Sequence, residues 1–562
     1  MTRSRPYSLP FWLELLAIFL LGLLVRIAFI QLHPAIYGGD TLVRIMNPDR
    51  ILLAYQLPLL QLLIYLINRV SNDPLLIRYL MSFIGAFAGV AFFLLSAKLV
   101  DRSTARFASL FFVFNPFLLV HSTVPYQEIL MLLFLCLGLY CLLQPSLPDV
   151  SAWTRGDFKG VGEVETPRNL PLTPSLCKEG EPCIGWASLF LGLACLTRYE
   201  AWLITAAAGL HYARARSDGR SVRAYLQLTT KTIALFGWAP LLWIVLHRGV
   251  SPQGTYVLEG PATWERLLRI PYIIAMALYH AGPIAACLAL LGLLMFWKRS
   301  LWAKPGIQMV IAAAALLMAS LVFSAHGVEP NPQRYVTDRE AHWFVLFAFW
   351  AAALGLSGLK ELSVSSATAS HSKAPNHWSN LRTLIHSLTL VLAVVWGLFQ
   401  TDRYIKRLLA DQNLILDYAV AQHLEQNLSD GDVALVFAQP LPANSAQQYF
   451  DKVYSQGGAQ ALAVARQQLA DLNSGPLDYS RIVVNTYVPK GQIVDGSKLT
   501  VNASDIPSFV LQKHVRLAAV FSNYPAQEIN TKHLLDYLKQ RSSRQLTLKD
   551  RDLQVSIYEV RF

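Results

Sequence analysis

Charge is scarce in this chain: 15% of its 562 residues are Asp, Glu, Lys or Arg, while 54% are hydrophobic. A soluble domain averages about 25% charged residues, so the balance excludes an ordinary soluble protein and implies a polytopic membrane protein with some soluble mass attached. Cysteine is scarce too, and its six positions give no disulfide framework. Cys136, Cys141, Cys195 and Cys287 lie in apolar segments, where a thiol behaves as a small hydrophobe. Cys177 and Cys183 share one loop but lack the further ligands a zinc site needs. The net charge of +12 comes without any basic stripe interleaved with aromatics, so nucleic acid is not an expected partner. Basic residues fall instead in short loops between apolar runs, where they orient a chain and meet anionic headgroups. The amino-terminal apolar run is too long for a signal h-region, and no small-residue cleavage site follows it. Met1 to Ile30 therefore reads as an uncleaved first helix with its basic end in the cytoplasm.

What the chain has in abundance is apolar stretches long enough to span about 30 Å. They fall at roughly 11–30, 76–97, 105–122, 126–143, 185–212, 226–247, 271–297, 305–324, 341–358 and 381–400. The stretch 185–212 is too long for one helix and carries Arg198 and Glu200 at its middle, so it reads as two short helices meeting at the outer face. About eleven spans result. Residues 51–69 are read as a re-entrant or interfacial helix, interrupted by Pro58. With that assignment, Lys98/Arg102/Arg106, Arg214 to Arg223, Lys298/Arg299/Lys304 and Lys360/Lys373 all become cytoplasmic. A genuine crossing at 51–69 is the alternative. The loops 31–50, 121–127, 248–270 and 325–340 then face outward, as does everything after residue 401.

Two cytoplasmic segments differ in composition from the rest. Residues 144–184 contain Asn169-Leu170-Pro171-Leu172-Thr173-Pro174, which resembles translated interspersed repeats and reads as a disordered insertion. Residues 359–380, rich in Ser, Ala, His and Lys, read as a flexible linker. The membrane-embedded domain is thus assigned to 1–400 and a small α/β domain to 401–562. In the latter, strand-like runs at 433–437, 481–485, 518–521 and 554–560 alternate with helical patterns at 460–472 and 531–541. No glycine-rich phosphate loop occurs there, so this domain reads as accessory.

The polar residues that stand out lie on one predicted face: Asp40 after Gly38-Gly39, Glu128, Thr197-Arg198-Tyr199-Glu200 and Arg334-Tyr335. Ionisable groups at membrane depth are costly to place and point to function. In order along the chain come a basic start and one helix, an outer loop bearing an acid, and a Pro-containing apolar helix. A helix opening with Arg78 follows, then Phe114-Asn115-Pro116, Glu128, Gly192 to Arg198 and a late Arg-Tyr. This order resembles the GT-C glycosyltransferases, in particular the family 39 group of protein O-mannosyltransferases and lipid A aminoarabinose transferases. The resemblance covers roughly residues 10–360 and rests on order more than on any one short motif.

The resemblance implies transfer of a sugar from a polyprenyl phosphate to a hydroxyl on a lipid, glycan or protein acceptor, with inversion. It assigns the general base to Asp40, since a hydroxyl is a poor nucleophile until a carboxylate takes its proton. A phosphate leaving group suits Arg, whose fork meets its oxygens bidentately, and Arg198 and Arg334 are the candidates. Tyr199 and Tyr335 are placed to stack on sugar or isoprenoid, and Glu128 completes the substrate-binding set. No cofactor is implied. A divalent metal stays open, although one lone carboxylate is a weak octahedral site.

Two departures bear on substrate identity. Many relatives have an acidic pair where Asp40 is followed by Thr41, and the common His-Pro-Pro-Leu is here Gln56-Leu57-Pro58-Leu59. Structural readings stand beside the functional ones. Asp40 could cap a helix, Glu128 could be an interfacial polar residue, and Arg198 with Glu200 could form a structural ion pair. Arg334 could snorkel. Arg26 and Arg78 read as boundary anchors, and Trp12, Trp243 and Trp343 as belt residues. A transporter or flippase of lipid-linked saccharide is the competing class, though the two halves show no repeat. An O-antigen-type ligase or polymerase is the nearest competitor among enzymes.

Overall fold

Sharp helix boundaries follow from capping residues at the ends of the apolar runs. The computed structural model describes residues 11–34, 36–37, 57–71, 73–143, 184–217, 222–246, 269–323, 342–368, 415–437, 486–487, 491–496, 501–522, 529–550 and 553–561, with isolated positions between them. Helix α1 is Phe11–Leu32, α2 is Pro58–Asn68 and α3 is Pro74–Leu99. Asp73 caps α3 by accepting from Leu75 N at 2.8 Å, with Pro74 at the first helical position, where its missing N–H costs nothing. Asp101 caps α4, Arg102–Phe114, by accepting from Thr104 N at 2.8 Å. Asn115 then accepts from Leu118 N at 3.0 Å and opens α5, Pro116–His121, so the expected 105–122 span is two helices broken at Asn115-Pro116.

The bundle continues with α6, Gln127–Leu142; α7, Ile184–Cys195; α8, Glu200–Ser217; α9, Val222–Phe236; and α10, Trp238–Leu246. It is completed by α11, Arg269–Ala281; α12, Pro283–Lys298; α13, Pro305–Phe323; and α14, His342–Thr368. Helix α14 thus continues into the segment expected as a linker. Among the described residues two helices are long and apolar enough to cross a membrane, Phe11–Leu32 and Leu75–Leu99. There are up to four if Tyr225–Phe236 with Trp238–Leu246, bent by 52°, and Ile270–Ala281 with Pro283–Lys298, bent by 118°, each count as one span. The expected count of about eleven is not confirmed among the described residues, where Asn115-Pro116, Gly237 and Gly282-Pro283 divide long apolar runs into shorter helices. Leu16, Leu20 and Leu24 on α1, and Leu290, Leu293 and Leu294 on α12, are exposed. Apolar side chains turned outward in this way mark an integral membrane protein.

Polar contacts define two faces of the bundle. At one, the buried Glu14 of α1 accepts from Arg102 Nε at 2.8 Å and pairs with Arg106. Arg299 approaches Asp101 at 3.6 Å, and Lys304 Nζ donates to Leu99 O at 3.4 Å. At the other, Arg78 Nη1 donates to His33 O at 2.8 Å and Pro34 O at 2.6 Å. Helix α3 joins the two faces, and its 26 residues are about 39 Å long at 1.5 Å per residue. The chain therefore leaves α1 and enters α3 on the same face. Helix α2, whose 11 residues reach only about 16 Å, lies between those two points.

Among the described residues, α12 and α14 approach each other closely enough for backbone contact. A Cβ on Gly292 would stand 1.6 Å from Ala351 O, and one on Gly355 would stand 2.1 Å from Leu288 O. Small residues let these backbones touch, as is usual between membrane helices. Trp343 and Trp243 are buried within the bundle rather than placed at a lipid belt, whereas Trp12 is exposed.

After α15, Ile415–Asn427, the chain builds a five-stranded sheet in the order β4-β2-β5-β7-β6. Its strands are β2, Val433–Phe437; β4, Gln492–Asp495; β5, Val515–Phe521; β6, Ser542–Asp550; and β7, Leu553–Val560. Strands β4, β2 and β5 are parallel, while β5, β7 and β6 are antiparallel. Period-two alternation splits the sheet's apolar residues between two faces. Val433, Leu435, Phe437 and Ala518 share a cluster with α16, Ile506–Gln512, and α17, Ile529–Gln540. Ala434, Val436, Leu517 and Ile557 belong instead to the buried cluster that includes Leu424 of α15 and Phe29, Leu60 and Ile64 of the bundle. Strand β1, Ile36–Tyr37, pairs antiparallel with β3, Thr486–Tyr487. The expected helix at 460–472 and strand at 481–485 lie outside the described residues.

Candidate active site

The face that receives the end of α1 also gathers Glu128, Arg198, Tyr199 and Glu200. The break expected within 185–212 falls at 196–199, between α7 and α8. Arg198 Nη2 donates to Glu200 Oε1 at 2.5 Å, Nε donates to the same carboxylate at 3.0 and 3.1 Å, and Nη1 pairs with Glu128 Oε1. The side chains of Glu128 and Glu200 are 2% and 4% exposed, and that of Arg198 is 16% exposed. Arg198 thus pairs with two buried carboxylates at once. Glu128 lies in the first turn of α6 and Glu200 opens α8. Each helix start contributes roughly half a positive charge, which favours both carboxylates. The fork that could meet a phosphate is taken up by carboxylates. Tyr199 lies edge-on to Trp202, with ring centroids 5.2 Å apart, and Trp202 Nε1 donates to Cys195 O at 2.9 Å.

Backbone contacts tie the neighbouring loops to this group. Leu59 N of α2 donates to Leu196 O at 3.1 Å, and Gln127 Nε2 donates to Leu57 O at 3.3 Å. Arg78 adds a third bond, Nε to Thr123 O at 2.9 Å, and so links the start of the first loop to the turn that leads into α6. The candidate base Asp40, and Arg334 with Tyr335, lie outside the described residues. Thr41, immediately after Asp40, is helical and buried.

Three arginines are more deeply held than their sequence context suggested. Arg26 and Arg78, read as boundary anchors, are fully buried, and Arg44, which had not stood out, is 3% exposed. Arg26 Nε donates to Ser122 Oγ at 2.6 Å and Nη1 to Gly22 O at 3.0 Å, while Gln61 Nε2 donates to Arg44 O at 3.2 Å. The available signal was their place inside or beside apolar runs, where a charge must be held by protein groups rather than lipid. Among the described residues no three His, Cys, Asp or Glu gather as metal ligands.

A cavity of about 590 Å³ lies at the two helix breaks, lined by Phe111, Phe114, Asn115, Tyr279, His280 and Trp396 among others. Asn115 Nδ2 donates to His280 O at 2.5 Å beside it. Its lining is mostly apolar, which suits hydrocarbon better than a charged headgroup.

No family model and no curated protein sequence matches the chain. Solved structures similar to it include the archaeal oligosaccharyltransferase AglB from Archaeoglobus fulgidus in complex with an inhibitory peptide and a dolichol-phosphate. The two share 14% identity at a TM-score of 0.42, over 96% of this chain and 73% of that one. ArnT from Cupriavidus metallidurans bound to undecaprenyl phosphate shares 11% identity at a TM-score of 0.45, over 96% and 97% of the two chains. Arabinofuranosyltransferase AftD from Mycobacteria shares 13% identity at a TM-score of 0.43, over 99% of this chain but 42% of its own. A likeness at this level assigns no residue a role.

Proposed function

We propose that this chain is an integral-membrane glycosyltransferase of the GT-C type. It moves a sugar from a polyprenyl phosphate to an acceptor hydroxyl, with inversion. The observation that carries the reading is the convergence of Glu128, Arg198, Tyr199, Glu200 and the base of the Asp40 loop on one face. The basic residues Arg102, Arg106, Arg299 and Lys304 gather at the opposite end. Positive charge marks the cytoplasmic side, so the site faces outward from a bacterial inner membrane, and the C-terminal unit with it.

In this reading Asp40 accepts the acceptor's hydroxyl proton as its oxygen bonds to the anomeric carbon. The bond to the phosphate oxygen breaks at the same carbon, and its electron pair leaves with the lipid phosphate. Arg334 is the phosphate ligand, because the Arg198 fork already serves two carboxylates, and Tyr335 stacks beside it. The apolar cavity beside Asn115 accommodates part of the isoprenoid.

Replacing Asp40 with Asn keeps the shape and removes proton acceptance, a step worth roughly 10²–10⁴ in rate. The purified wild-type protein is expected to carry polyprenyl-phosphate sugars, detectable by mass spectrometry of co-purifying lipid. Cells expressing Asp40→Asn are expected to lose the envelope glycan made by the wild type, while the variant still carries the lipid. Undiminished glycan in that strain overturns the assignment of the base.

A further inference from the structure

We infer that the C-terminal unit is part of the catalytic apparatus, with Thr486 and Tyr487 acting as positioning residues that hold the loop bearing Asp40. The inference rests on Asp40 being the base. It starts from the pairing of β1 with β3, in the register Ile36↔Tyr487 and Tyr37↔Thr486. These partners are about 450 residues apart in sequence, so the ladder joins the first outer loop to the far end of the chain.

The hold has two sides. Within the bundle, the fully buried Arg78 takes His33 O and Pro34 O, just before β1. On the other side, β3 is followed within five residues by β4 of the main sheet. Gly491, at φ +73°, makes the turn, and Gln492 N donates to Asp432 O at 2.9 Å. The sheet is not loosely tethered, since its inner face and α15 share one buried apolar cluster with the bundle. Strand β3 is thus a fixed edge with which β1 is paired.

Asp40 follows Tyr37 by three residues, so chain geometry keeps their Cα atoms within about 11 Å. Anchoring β1 narrows the positions open to the carboxylate. A misplacement of about 1 Å at a reacting group can cost 10²-fold in rate. Each ladder hydrogen bond is worth only about 0.5–1.5 kcal/mol, so the clamp can be broken without unfolding the bundle.

The test uses the full-length protein in nanodiscs. Opposed residues of an antiparallel pair have Cα atoms about 4.5–5.5 Å apart, within disulfide range. Ile36→Cys with Tyr487→Cys is therefore expected to cross-link on oxidation, read as a reductant-sensitive link between proteolytic fragments, and to keep wild-type sugar transfer. Thr486→Pro with Tyr487→Pro removes whichever of the two N–H groups β3 turns toward β1, since neighbouring N–H groups of a strand point to opposite sides. Turnover is expected to fall about 100-fold, with undecaprenyl phosphate affinity unchanged. Placing Thr486→Pro in the two-cysteine background is expected to restore turnover when oxidised and lose it again when reduced.

Failure of the cysteines to link, or wild-type turnover in the proline variant, overturns the clamp. Loss of undecaprenyl phosphate binding together with turnover, unrescued by the disulfide, shows a merely structural strand and overturns it as well. The cross-link is read without any assay of transfer. A linked but Asp40-independent enzyme would therefore sink the base assignment and leave the strand contact standing.

Discussion

Replacing Arg198 with Met distinguishes a structural cation from a phosphate ligand. With the arginine in place, Glu128 and Glu200 share one guanidinium at 2% and 4% side-chain exposure. Without it, each buried carboxylate loses its ion pair with Arg198. Breaking one buried pair by removing a partner costs about 3–5 kcal/mol, and here one cation serves two partners, so the upper end applies. Glu128→Gln, by contrast, leaves Arg198 paired with Glu200 and an amide oxygen still able to accept, a loss of about 1–2 kcal/mol. The triple variant Arg198→Met/Glu128→Gln/Glu200→Gln, with no buried charge left, is expected to recover more than half of the Arg198→Met loss. Membrane proteins of this size unfold irreversibly, so the readout is the rate of heat inactivation in detergent. About 5 kcal/mol falling wholly on the unfolding rate is more than a thousandfold. Binding of undecaprenyl phosphate is expected to stay within threefold of wild type. An Arg198→Met protein as heat-resistant as wild type, with affinity for undecaprenyl phosphate lowered tenfold or more, refutes the reasoning and makes Arg198 the phosphate ligand.

Gly355→Ala forces a methyl group against Leu288 O, 2.1 Å from the added Cβ, and is expected to cost about 1–3 kcal/mol. Gly185→Ala, with nothing within 4 Å, is the control, and rates of heat inactivation in detergent compare them. His423 on α15 is held below its ordinary value of 6.5, mainly by burial; Glu559 opposes the shift and Arg544 adds to it. Since the fold favours the neutral ring, this contribution to stability is fully present above pH 6.5 and is lost as pH falls through 6.5 toward the folded value. Protection factors of β6 amides, corrected for the base-catalysed slowing of exchange at lower pH, are expected to be smaller one unit below that pH than one unit above, and His423→Gln to flatten the difference.

Hydropathy and helix-stop chemistry made most of the bundle legible. The nine apolar stretches from 11–30 to 341–358 are helical where expected, while 381–400 lies largely outside the described residues; the paired helices at 184–195 and 200–217 follow from Arg198 and Glu200, a pair too costly to leave in lipid. Breaks inside apolar runs were harder to read. The 118° bend at Gly282-Pro283 was hidden because a run of residues apolar on every side looks the same whether it is straight or folded back. Burial of Arg26, Arg44 and Arg78 was not legible either, since a sequence does not show which carbonyls will surround a guanidinium. Strand β1 was invisible for a similar reason: two residues form a strand only because the distant segment at 486–487 supplies the partner.

The buried arginines also bear on where the chemistry sits. Arg78 spends its fork on three carbonyls from two loops, and Arg198 spends its fork on two carboxylates. A phosphate that must enter and leave is poorly served by cations fixed in this way, because each turnover would take a guanidinium away from buried partners. A cation on an outer loop avoids that cost. Arg334 follows Glu329-Pro330-Asn331-Pro332-Gln333, where two prolines restrict the backbone, and no apolar run encloses it. On the proposed reading, base and phosphate ligand both come from segments that the sequence assigns to loops, with the helix ends and buried arginines as their scaffold. Recognition by loops on a rigid frame is the usual arrangement. It predicts that changes in Arg78 or Arg198 act first on stability, and changes in Asp40 or Arg334 act first on turnover.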